Sequence, residues 1–288
     1  MKSLLLTENE FELAIPDKAV VEEPIHLVMP EEARETHPRI RIRAGVSTRL
    51  KIILEENSVS GGGYPSDGIL EVFLAKGACV NFFQIQKLGK DAQSSWVNRF
   101  HLKQHASLDT MIFTSGGAVA KNETTVTFEE EHAFCSLKGL SILTGKSQVF
   151  HKIFANHQAP YGISRQHYKQ IVAGSSKAEF DSLVDVSHEG VHSDTRQLCR
   201  NLLLSDLALG FARPKLKIST DDVTCTHGAT TGQLDKNELF YMRSRGLSKE
   251  LAKYLLTDGF AREVVEEIQD IEMKKRFSGL VDQELKAL

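Results

Sequence analysis

The residues best suited to chemistry in this sequence are a thiol and an imidazole two positions apart, within residues 220–230. If this segment is an extended strand, Val223, Cys225 and His227 point to one face of it. Thiolate and neutral imidazole are donors suited to iron, copper or zinc. Two donors are too few to hold a metal, so such a site would need ligands from another turn of the fold or from a second subunit. The alternative is that Cys225 packs in a core and His227 is a hydrogen-bonded residue at a strand end.

Other candidates for chemistry are weaker. The four cysteines are far apart and form no Cys-x-x-Cys pair, so the sequence predicts no zinc site. In a cytoplasmic protein we expect them to be reduced thiols, most of them packed in the core. Histidines four residues apart share a metal only on a helix, so we expect the local histidine pairs in polar turns and at strand edges. These pairs are His101/His105, His151/His157 and His188/His192. Asp206 and Asp221-Asp222 have no acid–base partner placed by the local sequence, and the chain is predicted not to be an enzyme.

Composition narrows the possible partners. The chain has 288 residues, with 35 Lys and Arg against 38 Asp and Glu, a net charge of −3. This balance offers no basic footprint for nucleic acid or an anionic membrane. The start fits poorly as a signal peptide because acidic residues follow its short apolar stretch, so we expect a cytoplasmic protein. Residues 61–63 are all glycine but lead into Tyr64-Pro65, which favours a surface loop over a phosphate-binding loop.

From about residue 10 to residue 233 the chain reads as short strands. Apolar and polar residues alternate with a period of two, the pattern of half-buried strands. Examples are residues 39–43, 68–74, 108–114, 124–128, 180–186 and 215–218. Glycines punctuate the pattern, as at Gly116-Gly117, Gly139 and Gly145. No strict repeat is visible, so the pattern alone fits a coiled solenoid or a sandwich equally well.

After residue 233 the period becomes helical. Asp235 is placed to cap a first helix that stops at Gly246. Ser248 starts a second helix, with Leu251 and Leu255 on one face, which is predicted to end near Gly259. A third segment places an apolar stripe opposite charged residues. Its stripe consists of Phe260, Val264, Ile268 and Ile271. We therefore predict a β body over residues 1–233 and a helical domain over residues 234–288.

Several segments together resemble one known family. They are residues 53–57 (ILEEN), 200–206 (RNLLLSD), 212–214 (ARP), 222–234 (DVTCTHGATTGQL) and 239–246 (LFYMRSRG). The chain resembles the SufB/SufD scaffold family of the SUF iron–sulfur cluster assembly system, and within it the SufD branch. The resemblance implies a mainly β fold, a right-handed parallel β-helix followed by a small α-helical domain. Larger SufD proteins carry a helical region before the β-helix, whereas the strand pattern here starts almost at once.

The resemblance also implies partners and a site. SufD pairs with SufB through the β-helices, and the ATPase SufC docks on the C-terminal helices, here residues 235–271. His227 matches the SufD histidine that helps to hold a transient iron–sulfur cluster shared with the partner subunit, and Cys225 is a weaker candidate. The SufB cysteine ligand corresponds to Ala208 here, and the SufB glutamate after the histidine corresponds to Gly228. The chain has no phosphate loop, which agrees with nucleotide binding by the partner ATPase.

Three alternatives remain open from the sequence. The chain could form a homodimer instead of pairing with a SufB-like paralogue. It could be an interaction module that docks an ATPase without touching a cluster. A β-solenoid carbohydrate-active enzyme would require paired carboxylates or a row of Arg and Lys along one sheet, which the sequence does not show.

Overall fold

The alternating segments form a parallel β-helix. The computed structural model describes residues 3–6, 9–29, 37–58 and 65–288. Consecutive strands alternate between a nine-stranded and an eight-stranded sheet, and neighbouring strands in both sheets run parallel. The strands are β1 (Ser3–Leu5), β2 (Glu10–Ile15), β3 (Ile25–Met29), β4 (Arg39–Ala44), β5 (Arg49–Asn57), β6 (Pro65–Leu74), β7 (Cys79–Leu88), β8 (Gln93–Leu102), β9 (Ser107–Gly116), β10 (Val119–Phe128), β11 (Phe134–Leu143), β12 (Gln148–His157), β13 (Ile163–Val172), β14 (Lys177–Val186), β15 (Asp194–Leu203), β16 (Leu209–Ile218) and β17 (Thr224–Gly232).

This arrangement confirms the solenoid over the sandwich. A sandwich is built from antiparallel hairpins, whereas parallel neighbours need a crossover through the other sheet. All six segments predicted as strands lie within observed strands. The sequence shows no strict repeat because successive turns of the solenoid differ in length. Register partners in the eight-stranded sheet are 26 residues apart at Gln93 and Val119, 29 at Gln148 and Lys177, and 32 at Lys177 and Leu209.

Every second side chain points into the solenoid. Along β14, buried and half-buried residues alternate over all ten positions. Large side chains such as Trp96, Phe82 and Phe180 fill the interior. One inner column of the nine-stranded sheet is polar over seven consecutive strands. Its members are Glu56, Gln86, Thr114, Ser141, Gln170, Asn201 and Thr231.

One line of turns carries a ladder of stacked rings. His105, His132, Tyr161 and His192 occupy equivalent turn positions with φ between 55° and 59°. Successive ring centroids are 5.0, 4.6 and 4.7 Å apart. Stacking on the neighbouring rungs offsets part of the cost of a left-handed backbone at residues other than glycine. Gly139 was predicted as a turn residue, but it lies inside β11, where an added Cβ would meet the ring of Tyr168 at 2.2 Å.

Three helices follow the last strand: α1 (Lys236–Ser244), α2 (Lys249–Val265) and α3 (Ile271–Lys286). Asp235 and Ser248 cap α1 and α2 as predicted, and each side chain accepts hydrogen bonds from backbone N–H groups of the first turn. The predicted end near Gly259 is wrong, because α2 continues to Val265. The predicted third stripe is also wrong as one element, since α3 begins only after Asp270 and Ile271 is 85% exposed.

The helices pack on the outer face of the nine-stranded sheet. Val264 and Ile268 join Phe277 and Val281 of α3 in a buried cluster with solenoid residues, including Phe113. The change from strand to helix falls between Gly232 and Lys236, close to the predicted position. Because the helices share this cluster with the solenoid, the division into two domains at residue 233 stays a prediction.

Within the described residues, no helix is both long and apolar enough to cross a membrane. The glycine-rich residues 61–63, predicted to form a loop, lie outside the described part of the chain.

Candidate functional site

The solenoid ends in a rung whose inner face is open. β16 and β17 are the last strands of their sheets, so within the described residues no further strand covers them. Burial along β14 alternates between buried and half-buried, whereas along β16 it alternates between half-buried and exposed. The same rung exposes three large apolar side chains: Leu207 is 69%, Leu209 51% and Phe211 38% exposed. Open strand edges with apolar side chains are suited to pairing with another chain.

Cys225 and His227 lie on the inward side of this last rung. Cys225 is in register with Thr195, and His227 is in register with Gln197, and both β15 residues point into the solenoid. The prediction that the thiol and the imidazole share one face is therefore confirmed. Cys225 is half-buried against an apolar cluster that includes Val184, whereas His227 is exposed. The imidazole is thus accessible at the open end, whereas the thiol packs in part against apolar side chains.

A buried polar network lies one rung below His227. Nε2 of Gln197 donates to Oγ of Ser182 at 2.9 Å, and this hydroxyl donates to Oε1 of Gln166 at 2.6 Å. Gln166, Gln197 and His227 occupy successive positions of one inner column. Leu137 precedes Gln166 in this column, so its last three members toward the open end are polar. The sequence did not point to this network, because Gln166, Ser182 and Gln197 lie on three different strands and only the fold brings them together.

Of the two positions that the resemblance predicts to differ from SufB, packing accounts for Ala208 and not for Gly228. Ala208 is buried in an apolar cluster with Val172 and Ala178, and it offers no donor atom. Gly228 is on the opposite side of β17 from His227, and an added Cβ would meet Leu198 at 3.5 Å, an ordinary contact. Packing therefore does not require glycine at residue 228.

The other predicted candidates do not gather into a site. Oδ2 of Asp222 lies 2.9 Å from Nδ1 of His192, at the end of the stacked ladder. Asp206 lines a cleft of about 720 Å³ between the last turns of the solenoid, α1 and α2. No cluster of three or more His, Cys, Asp or Glu side chains with metal-binding geometry occurs among the described residues. Any metal at Cys225 and His227 therefore needs donors from outside this chain's described part.

One histidine pair is not where it was expected. His151 and His157 were predicted in polar turns and at edges, but both point inward from β12 and are buried. Nε2 of His151 lies 3.0 Å from Oγ of Ser141, and Nε2 of His157 lies 3.0 Å from Oγ of Ser164. Burial lowers the pKa of both imidazoles from 6.5 to about 4. Both rings are neutral core residues at neutral pH.

The helices present a second exposed apolar surface. All nine residues of α1 are at least partly exposed, and Phe240 and Tyr241 are 74% and 58% exposed. On α2, Leu251 and Leu255 are 45% and 40% exposed, although they were predicted as one apolar face. Apolar side chains of this size on a short surface helix are suited to contact with a partner.

Comparison of the sequence with known proteins identifies the family of this chain. The family model described as SUF system FeS cluster assembly, SufBD core domain, matches residues 27–260. The chain belongs to the SufBD core family. It is 30% identical over 188 residues to the iron–sulfur cluster assembly protein SufD of Escherichia coli, covering 65% of this chain and 44% of that protein.

Two further relatives cover more of the chain. An iron–sulfur cluster assembly SufBD family protein of Synechocystis is 28% identical, covering 88% of this chain and 59% of the relative. Protein ABCI7, chloroplastic, of Arabidopsis thaliana is 30% identical, covering 90% and 57%. The chain thus spans about half the length of these SufBD relatives. Membership of this family links the chain to iron–sulfur cluster assembly and confirms the resemblance to the SufB/SufD family.

Proposed function

We propose that this chain is a scaffold subunit of an iron–sulfur cluster assembly complex, and that it holds a nascent cluster at the open end of its solenoid. The observation that carries the proposal is the position of His227. It faces inward by register yet is exposed, because the described chain provides no rung above it. An imidazole at such an end can bind iron only together with donors from a second chain.

The donor atoms at the open end of the solenoid suit a cluster that is bound for a time and then released. Imidazole and thiolate are ligands of iron and of iron–sulfur clusters. His227 supplies one accessible donor, and Cys225 supplies a thiol that is half-buried and so a weaker candidate. The cluster is cargo of the complex, and a site divided between two chains opens when the chains separate. The chain's role in this proposal is to bind and release, with no bond-breaking step of its own.

The partner at the open end is proposed to be a SufB-like paralogue. β16 and β17 offer unpaired strand edges, and Leu207, Leu209 and Phe211 offer apolar contacts beside them. A partner that pairs with these edges would extend both sheets and bring its own donors next to His227. A second copy of this chain would add only a second His227 and Cys225, the same incomplete donor set, because Ala208 stands where the resemblance places the SufB cysteine ligand.

The second partner is proposed to be a SufC-like ATPase that docks on the helices. The exposed side chains Phe240 and Tyr241 of α1 supply an apolar surface within residues 235–271. A cleft beside α1 is bordered by Lys236, Lys249 and Lys253. Because α1 directly follows β17, movement of a docked ATPase can reach the strand that carries His227.

Co-purification with chemical analysis tests the proposal. The tagged chain is expressed with its SufB-like and SufC-like partners and purified without oxygen, and iron and sulfide are measured on the recovered complex. We expect both partners and both elements to be recovered. Replacement of His227 by alanine is expected to lower iron and sulfide while leaving the protein composition unchanged. A complex that contains both partners but equal iron with and without His227 would instead support an interaction module that does not bind the cluster.

A further inference from the structure

The amide of Gln197 is the buried group placed closest to His227 by the strand register. Gln197 is 2% exposed and lies on β15, and His227 lies directly opposite it on β17. Neighbouring parallel strands are about 4.8 Å apart, and side chains opposite each other point the same way. The two side chains are therefore consecutive members of one inner column, with the glutamine inside and the histidine at the open end.

In the network below, the NH₂ group of Gln197 is engaged and its carbonyl oxygen is not. The hydroxyl of Ser182 has one hydrogen and donates it to Oε1 of Gln166. It must therefore accept from Gln197, which uses the NH₂ group of that side chain. Oε1 of Gln197 is then the remaining atom, and it has no hydrogen-bond partner within the described part of the chain.

A buried carbonyl oxygen without a partner costs free energy, of the order of 1–3 kcal/mol. Such an oxygen needs a hydrogen-bond donor, and an ordered water or a bound group can supply one. At the open end of the solenoid the nearest side chain in the column is that of His227. A metal-bound histidine has a matching requirement, because its second ring nitrogen carries a hydrogen and usually donates it to a carbonyl or carboxylate. The partner chain, in covering the open end, would remove the water that otherwise receives this hydrogen.

We propose that Gln197 is a positioning residue for His227: its Oε1 accepts the ring N–H when the cluster binds and so fixes the tautomer that presents a lone pair to iron. This inference rests on the proposed function. Gln197 does not touch the cluster, and Ser182 and Gln166 hold its amide in orientation. The bond forms by a turn of the exposed imidazole toward the interior, since no hydrogen bond between the two residues is present in the free chain as described.

The chain contains a matched control for this proposal. Gln170 is also a fully buried glutamine on the inner face of the nine-stranded sheet, and neither of its amide atoms has a partner among the described residues. It belongs to the column of Thr231 rather than that of His227. Gln197→Leu and Gln170→Leu therefore remove the same group at equal burial, and only the first removes the acceptor beneath the histidine.

The test uses the anaerobic complex with the SufB-like and SufC-like partners, reduced chemically, and two readouts. Pulsed electron paramagnetic resonance measures the quadrupole coupling of the remote imidazole nitrogen, which reports its hydrogen bond. Competition with an iron chelator measures retention of iron. We expect Gln197→Leu to change the coupling and to weaken iron retention roughly 10-fold. Gln197→Glu, which keeps an acceptor, is expected to retain the coupling, and Gln170→Leu to change neither readout.

The outcomes separate this inference from the proposed function. An unchanged coupling and unchanged iron retention in Gln197→Leu would overturn the positioning role while leaving His227 as a ligand. Absence of any imidazole nitrogen signal from the wild-type complex would overturn the proposed ligand and this inference together. If Gln197→Leu does not fold, judged by circular dichroism, Gln197→Met provides a side chain of similar length without the acceptor.

Discussion

Lys169 of β13 and Glu263 of α2 form an ion pair whose two ends differ sharply in exposure. The lysine side chain is fully buried, whereas the glutamate side chain is 47% exposed. The ammonium group also donates to the carbonyl oxygen of Phe260 at 2.9 Å and lies 4.1 Å from the centroid of the Phe260 ring. Burial lowers the pKa of Lys169, and this effect exceeds the opposing effect of Glu263. The pair joins the outer face of the solenoid to the helix that follows α1.

Removal of either partner of this pair should have unequal effects. Glu263→Gln leaves a buried cation without its counterion, and we expect the free energy of unfolding to fall by about 2 kcal/mol. This loss is smaller than that for a fully buried pair, because the carboxylate of Glu263 is partly exposed to water. Lys169→Met replaces the buried cation by an apolar chain of similar length and should cost under about 1 kcal/mol. Urea unfolding of both variants measures the difference. A larger loss for Lys169→Met would contradict this account of the junction.

Stability should fall as the pH drops from about 6.5 to about 4. In that range the unfolded chain binds protons at His151 and His157, whereas the folded chain keeps both rings neutral because burial lowers their pKa to about 4. For each histidine, the free energy of unfolding falls by an amount that reaches about 3 kcal/mol at pH 4. Above pH 6.5 neither histidine changes the free energy of unfolding. Urea midpoints at pH 7.5, 5.5 and 4.5 test this prediction. His151→Gln keeps a polar side chain near Ser141 and should flatten the slope, and an identical slope in the variant would exclude His151 as a source.

Gly139 should be irreplaceable by alanine. A Cβ at this position would lie 2.2 Å from the ring of Tyr168, which is buried in the core. We expect Gly139→Ala to cost about 3 kcal/mol, the upper part of the range for overpacked cores. Gly279→Ala is the control, because no atom lies within 4 Å of the added group in α3. That substitution should stabilise the protein by about 0.5–1 kcal/mol through helix propensity. Equal effects of the two substitutions in thermal unfolding would contradict the packing argument.

Exposed aromatic residues of α1 should matter for the ATPase and not for folding. Phe240 is 74% exposed, so Phe240→Glu should leave the unfolding midpoint nearly unchanged. If the helices form the docking surface, the same change should weaken binding of the SufC-like ATPase at least 10-fold in a titration. Val20→Glu is the control, since Val20 is 64% exposed at the opposite end of the solenoid. Equal ATPase affinity for both variants would show that the docking surface does not include Phe240 of α1.

The solenoid could be predicted in its parts but not in its register. Alternation with a period of two marks the strands and places Cys225 and His227 on one face, because strand geometry alone determines both. The residue opposite His227 on the neighbouring strand β15 could not be predicted in this way. Gln197 lies 30 residues earlier, and turns of 26 to 32 residues leave that pairing undetermined by the sequence.

The helical errors have a similar local cause. The caps Asp235 and Ser248 were predictable because an N-cap side chain acts on its own first turn. Gly259 was misread as a helix end, although a glycine is tolerated inside a helix at a cost of only about 1 kcal/mol. The buried position of His151 and His157 also depends on neighbours from other strands, since polar residues such as Ser141 make an inward histidine acceptable.

The central claim is that His227 is a cluster ligand at a seam between two chains. The most direct test is the activity of iron–sulfur enzymes in cells whose only copy of this protein carries His227→Ala. We predict that this activity falls strongly while the complex with both partners is recovered in normal amounts. His188→Ala changes another exposed histidine and should leave activity at the wild-type level. Wild-type enzyme activity in the His227→Ala cells would contradict the account.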